Sequence, residues 1–144
     1  MSRNMYVENA LKMLEASPLK LTSQRVNLLN VLFKNGNKHF SVEEVYSLVN
    51  QEGLKISLAT VYNCLNQFTA NGILKMVKTS CDKVYFDTNL TAHHHFFCKT
   101  TGKLTDIDSK YIKISKLPKI PEGKKLTSVE IVVNISDWYW LSLS

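Results

Sequence analysis

Apolar residues recur at helical spacing along the front of the chain and at strand spacing behind it. Before Pro18, Tyr6, Ala10, Leu11 and Leu14 share one face, which predicts a helix over roughly 5–16. Thr22 can cap a second helix with Val26, Leu29 and Phe33 inward, stopping near Gly36. Ser41-Val-Glu-Glu44 has the spacing of a capping box, so a third helix follows with Val45, Leu48 and Val49 buried and Gly53 at its end. Ser57 opens a fourth helix on the stripe Val61, Leu65, Phe68, ended by Gly72. The period then shortens. Ile73–Lys78 and Lys83–Phe86 are rich in β-formers and joined by a polar turn, the pattern of a hairpin. Helices closed by a two-stranded hairpin predict a winged helix-turn-helix whose second turn helix, about 58–71, would enter a major groove.

Residues 88–92 read as a hinge. His93–Cys98 and Lys103–Ile107 predict a second hairpin turning near Gly102. Pro118 and Pro121 bracket a connector, and Ser128–Ile135 is the strongest strand pattern in the chain. The expected fold class is α+β: an N-terminal winged helix-turn-helix domain over 1–87, then a small α/β dimerisation domain over 93–144. That back half reads as a βα unit too small for much of a core, so a homodimer is expected. The pattern does not assign Trp138–Ser144.

Composition narrows the function classes. The chain has 144 residues, 44% of them apolar, which excludes wholesale disorder. No apolar run has the length of a membrane span, and Met1-Ser-Arg-Asn4 leads into mixed residues rather than a secretory core; a cytoplasmic protein without membrane partners is expected. Cys64, Cys81 and Cys98 make neither a disulfide framework nor a CxxC pair. Net charge is +6, divided as +3 up to Asp87 and +3 beyond, so charge permits a polyanionic partner without locating it.

The histidines carry the distinctive chemistry. Three of the four are consecutive, and strand alternation puts His93 and His95 on one face with His94 on the other. Two imidazoles on one face are half of a first-row metal site. Asp87 at the end of the preceding hairpin and Asp106 at the end of the next strand can add oxygen donors. His39, in the loop before the third helix, can come from the front half. Three nitrogens and two oxygens suit one Fe(II), Mn(II) or Zn(II) per subunit. A histidine pair on a strand is, however, more often a surface pair or a hydrogen-bonded group.

Leu19-Lys-Leu-Thr-Ser-Gln-Arg25, Ser57-Leu-Ala-Thr-Val-Tyr62 and Phe86-Asp…His-His-His-Phe-Phe-Cys98…Gly102-Lys-Leu-Thr-Asp106 resemble, in order over about 5–135, the ferric-uptake-regulator (Fur) superfamily. The resemblance implies a metal clamped between a winged-helix domain and a dimerisation domain. It also implies a homodimer on a palindromic duplex. Carried over by position, its regulatory ligands fall on His39, Asp87, His93, His95 and Asp106, the five nominated above. Departures are informative. Cys98 lacks a CxxC partner because Thr101 stands there, which argues against a structural zinc. Asn63 after Thr-Val-Tyr, the three histidines and the short ending resemble the haem-responsive Irr branch, although Cys-Pro is absent. Asp87 also suits the peroxide-sensing PerR branch. Either reading makes His39, His93, His94 and His95 a possible haem or oxidation site.

For DNA, Thr60, Tyr62 and Asn63 lie near the start of the expected reading helix, where a hydroxyl or amide reaches a base edge or phosphate. Tyr62 could instead pack beneath the wing. Lys20 resembles a family lysine that probes a minor groove, and Arg25 of the same motif is grouped with it. Lys75, with Lys78 and Lys83, would touch phosphates. A metal-dependent transcriptional regulator of iron or haem homeostasis is therefore expected. The rivals are a peroxide-sensing repressor, a metallohydrolase that would use the histidine cluster, and a winged-helix protein-interaction module.

Overall fold

The computed structural model describes residues 4–138. Of the Trp138–Ser144 tail, residues 139–144 lie outside the described residues. The chain divides into two compact units. One holds the residues up to Lys78 together with Asp82–Leu90, the other Thr79–Cys81 and the residues from Thr91 onward.

The first unit contains four helices: α1 (Met5–Ala16), α2 (Ser23–Phe33), α3 (Val42–Gln51) and α4 (Leu58–Ala70). Each begins on the cap that its sequence supplies. Asn4 accepts from the Tyr6 and Val7 N–H groups, Thr22 from Arg25, Ser41 from Glu44 and Ser57 from Thr60. At Ser41 the reciprocal half of the box is a side-chain bond, the hydroxyl donating to Glu44 Oε1 at 3.1 Å. One apolar core joins the helices, built on Leu14, Leu28, Leu29, Leu32, Val45, Val49, Val61, Leu65 and Phe68, with Phe86 from the sheet. Gly72, at φ +73°, closes α4 in a Schellman turn: the Ile73 N–H bonds the Phe68 carbonyl at 2.9 Å and the buried Ile73 carries the chain into the wing.

The unit's sheet has the order β1-β3-β2, formed by β1 (His39–Phe40), β2 (Lys75–Lys78) and β3 (Val84–Asp87), all antiparallel. The wing therefore has three strands where two are expected. His39 is not in a loop: it lies on β1, opposite Asp87.

The second unit is a sheet of order β5-β4-β6, with β4 (His93–Cys98) central, β5 (Leu104–Asp108) antiparallel to it and β6 (Val132–Ile135) parallel. Between β5 and β6 its helical content is one 3-10 turn, Ser109–Tyr111, and the connector running on to β6 is irregular. Thus no α-helix fills the helical half of the expected βα unit. Pro118 and Pro121 explain part of this, since proline removes an amide donor and disfavours helix in the residue before it. The last strand covers only the second half of Ser128–Ile135. Buried apolar residues here are Phe97, Cys98, Leu104 and Ile107, accompanied by His93, His94 and His95. No helix among the described residues is long and apolar enough to cross a membrane.

Because Phe68 is fully buried and Tyr62 on the same helix is 52% exposed, their truncations should differ sharply. Phe68→Ala should cost about 3–5 kcal/mol of unfolding free energy and Tyr62→Ala less than about 0.5 kcal/mol, measured by urea denaturation.

Candidate metal centre and reading helix

Pleating of β4 sorts its three histidines. His93 and His95 share a face, their ring centroids 4.6 Å apart and nearly edge to face. His94 points the other way, where its Nδ1 accepts the Ile131 N–H at 3.1 Å. That bond holds the chain entering β6, so His94 has a structural partner on the face away from its neighbours. The next strand supplies the oxygen. Asp106 stands directly opposite His95, in the middle of β5 rather than at its end. Its Oδ1 lies 3.2 Å from His95 Nε2 and 3.8 Å from His93 Nε2.

His93 is also oriented from behind. Its Nδ1 is 2.7 Å from the Thr91 carbonyl, an acceptor only, so Nδ1 donates there, and in the neutral ring Nε2 carries the lone pair toward Asp106. Nothing in the sequence pattern signals this carbonyl, because main-chain groups are the same at every residue. Ligands bound at about 2.1 Å sit roughly 3.0–3.5 Å from one another around one ion. The donor atoms of His93, His95 and Asp106 all lie within 4.8 Å of one another, so a small side-chain adjustment would let all three reach one ion. Two imidazole nitrogens and a carboxylate fit a divalent first-row cation.

In the first unit, His39 and Asp87 form a register pair on neighbouring strands, which puts both side chains on one face of that sheet. His39 is half-buried and meets Tyr85 edge-on, with centroids 6.2 Å apart. Asp87 is buried, and its Oδ1 accepts the Asn89 N–H at 2.9 Å. Lys75 stands opposite Asp87 on β2 and is itself half-buried.

Cys98 has no second thiol beside it. Instead Thr101 gives it a side-chain and a backbone hydrogen bond, which hold its pKa below the ordinary thiol value despite burial. Burial pushes the Cys64 thiol the other way, opposed only by the Arg25 guanidinium.

Helix α4, expected to read DNA, turns Val61, Cys64, Leu65 and Phe68 inward and leaves Leu58, Tyr62 and Asn63 exposed. Tyr62 is therefore on the free face and not under the wing. Thr60 is half-buried, and its hydroxyl accepts from the Ser57 cap at 2.9 Å while keeping its own hydrogen to donate. Lys20 is exposed. Arg25 donates to the Lys20 carbonyl at 2.7 Å and to Gln67 Oε1 at 3.0 Å, tying the α2 approach to α4. Leu58, 47% exposed one turn before Tyr62, was not singled out by sequence; its signal is its position off the buried stripe.

A sequence model of the "Ferric uptake regulator family" matches residues 16–134. The Haemophilus influenzae ferric uptake regulation protein is 35% identical over 107 residues, 74% of this chain and 73% of that protein. Its Neisseria gonorrhoeae counterpart is 33% identical over 101 residues, 69% of this chain and 70% of its own. Among solved structures, the Vibrio cholerae ferric uptake regulator superposes with a TM-score of 0.69 at 26% identity, covering 88% of this chain and 98% of that one. The Pseudomonas aeruginosa regulator, solved with manganese, gives 0.70 at 26% identity over 90% and 98%. The family match runs through α2–α4, the wing and the histidine strand alike, and the chain belongs to the ferric uptake regulator family of metal-dependent, DNA-binding transcription regulators, which are not enzymes.

Proposed function

We propose that this chain is a homodimeric repressor-type regulator whose hold on a palindromic duplex is set by one divalent ion per subunit. The observation that carries the reading is the trio His93, His95 and Asp106, with His93 Nε2 aimed by the Thr91 carbonyl. These residues would hold the ion, with His39 and Asp87 as donors from the first unit. The ion supplies charge and a fixed coordination geometry, and ligation from both units would couple their orientations. Within this reading Tyr62, Asn63 and Thr60 contact bases or phosphates from α4, and Lys20 and Lys75 add phosphate contacts. Arg25 positions the approach to α4 through its two internal bonds. Residues 88–92 act as the hinge between a DNA-binding part over 1–87 and a metal-sensing, dimerising part over 93–144. The four buried apolar side chains of the second unit support dimerisation, since so small a core gains most from covering by a second copy.

The finer reading is an iron- or haem-responsive regulator of the Irr type acting in the cytoplasm, supported by Asn63 and the unbroken histidine run. The relatives named above are ferric uptake regulators, a description that favours iron among the three metals. Asp87 keeps the PerR-type alternative in play, because Fe(II) among oxygen donors is open to peroxide. Treating the iron-loaded protein with peroxide, followed by peptide mass spectrometry, should leave the His39 and His93 peptides unmodified. Titration with haemin should give a stoichiometric Soret band that His93→Ala removes. A gain of one oxygen on either histidine peptide would overturn the Irr-type reading in favour of peroxide sensing.

His93→Ala should weaken metal binding on the order of 100-fold and abolish metal-stimulated DNA binding, measured by elemental analysis after dialysis and by gel shift. His94→Asn should keep both, since an amide oxygen can take over the bond from the Ile131 N–H. Equal metal loss in the two variants contradicts the site. Mild chelation should strip the ion while circular dichroism and sedimentation stay unchanged, because Cys98 has no thiol pair with which to hold a structural zinc.

A further inference from the structure

The connector between β5 and β6 carries a repeat of three that the regulatory site does not use. Lys110, Lys113, Lys116 and Lys119 fall at every third residue, and Tyr111, Ile114, Leu117 and Ile120 follow one place behind. On an α-helix such a row would spiral away, and on a strand it would alternate between faces. It lines up on one edge only in a backbone with three residues per turn. The segment opens in the 3-10 turn Ser109–Tyr111 and then has neither α-helix nor strand, with Pro118 and Pro121 favouring the extended threefold polyproline form. Its lysines would then stand about 9 Å apart along one edge. At Pro121 the chain turns, the Lys124 N–H bonding the Pro121 carbonyl at 3.1 Å with Gly123 at φ +76°, and Lys124 and Lys125 extend the positive charge.

This short stretch holds most of the molecule's excess charge. Residues 110–125 contain six lysines and one acidic residue, Glu122, a net +5 out of the chain's +6. All six lysines are exposed, and no ion pair neutralises any of them among the described residues. Meanwhile α4, the helix with the exposed reading face, contains no lysine or arginine. A duplex presents one negative charge per about 1.7 Å of its axis, and release of its counterions dominates affinity. A regulator whose reading helix is uncharged must obtain that contribution elsewhere.

We propose that residues 110–125 form a second DNA contact, a lysine strip that binds backbone phosphates without reading sequence. It supplies salt-dependent affinity, while Tyr62 and Asn63 supply discrimination. The strip requires duplex binding by the chain but not the metal gate proposed above.

The test is fluorescence anisotropy of the full chain on a random-sequence duplex of about 30 base pairs across a potassium chloride titration. K113Q/K116Q/K119Q should lower the slope of log K against log salt by about 2–3 per bound subunit and weaken binding at least roughly tenfold at low salt. K99Q/K103Q, two exposed lysines outside the row, should leave the slope within about 0.5 of wild type. Circular dichroism should match for all three proteins. An unchanged slope in the triple variant would make the row a solvated face and overturn the proposal, as would an equal loss per lysine in the double variant. Phosphatidylglycerol vesicles distinguish the other anionic surface: vesicle binding lost in the triple variant with its DNA slope intact would also overturn it. DNA affinity that ignores metal but shows the slope change defeats the metal gate and leaves the strip standing.

Discussion

Three consecutive imidazoles in a central strand set the terms for the second unit. Each is a polar ring buried in a sheet with few apolar neighbours, so each needs partners on its own side. The alternation of β4 meets that need in two directions. On one side His93 and His95 converge on Asp106, with the Thr91 carbonyl behind His93. On the other, His94 accepts the amide of Ile131 just before β6 begins. The return of β6 to the sheet and the donor face for an ion thus follow from one strand's pleat. A slip of one residue would exchange the two faces and ruin both.

The first unit solves a different problem, presenting one helix face while burying the other. Val61, Leu65 and Phe68 lock α4 into the core, and the Arg25 guanidinium clips its outer side to the turn before α2. What remains exposed is neutral. Such a surface can discriminate by hydrogen bonds and apolar contacts, whereas attraction to a polyanion has to come from lysines carried elsewhere.

Local signals were the legible ones. The caps Thr22, Ser41 and Ser57, and the glycines ending α3 and α4, are short-range features, so the four helices and the β2–β3 hairpin read directly from the chain. The strand β1 did not, because two residues have no periodicity and pair with β3 across a long stretch of sequence. His39 consequently looked like a loop residue. Asp106 looked near-terminal because the expected strand stopped at Ile107, though pairing with β4 carries β5 on through Asp108. The helix implied by a βα unit does not form between β5 and β6, where the connector has a period of three and two prolines. Of the site, the residue types and the alternation of the histidines were visible in advance. The Thr91 carbonyl and the bond from Ile131 were not, since a main-chain group leaves no mark in the sequence.

The Schellman turn at Gly72 has a mechanical consequence. Ile73 is bonded to the last turn of α4, buried in the core and followed almost at once by β2, so very little slack separates the helix from the wing. The two surfaces keep a fixed spacing, so if a duplex met both, any adjustment would fall on the nucleic acid. Its cost would differ between stiff A-tracts and pliable pyrimidine–purine steps. Bases that no side chain touches would then enter the choice of binding site through their stiffness.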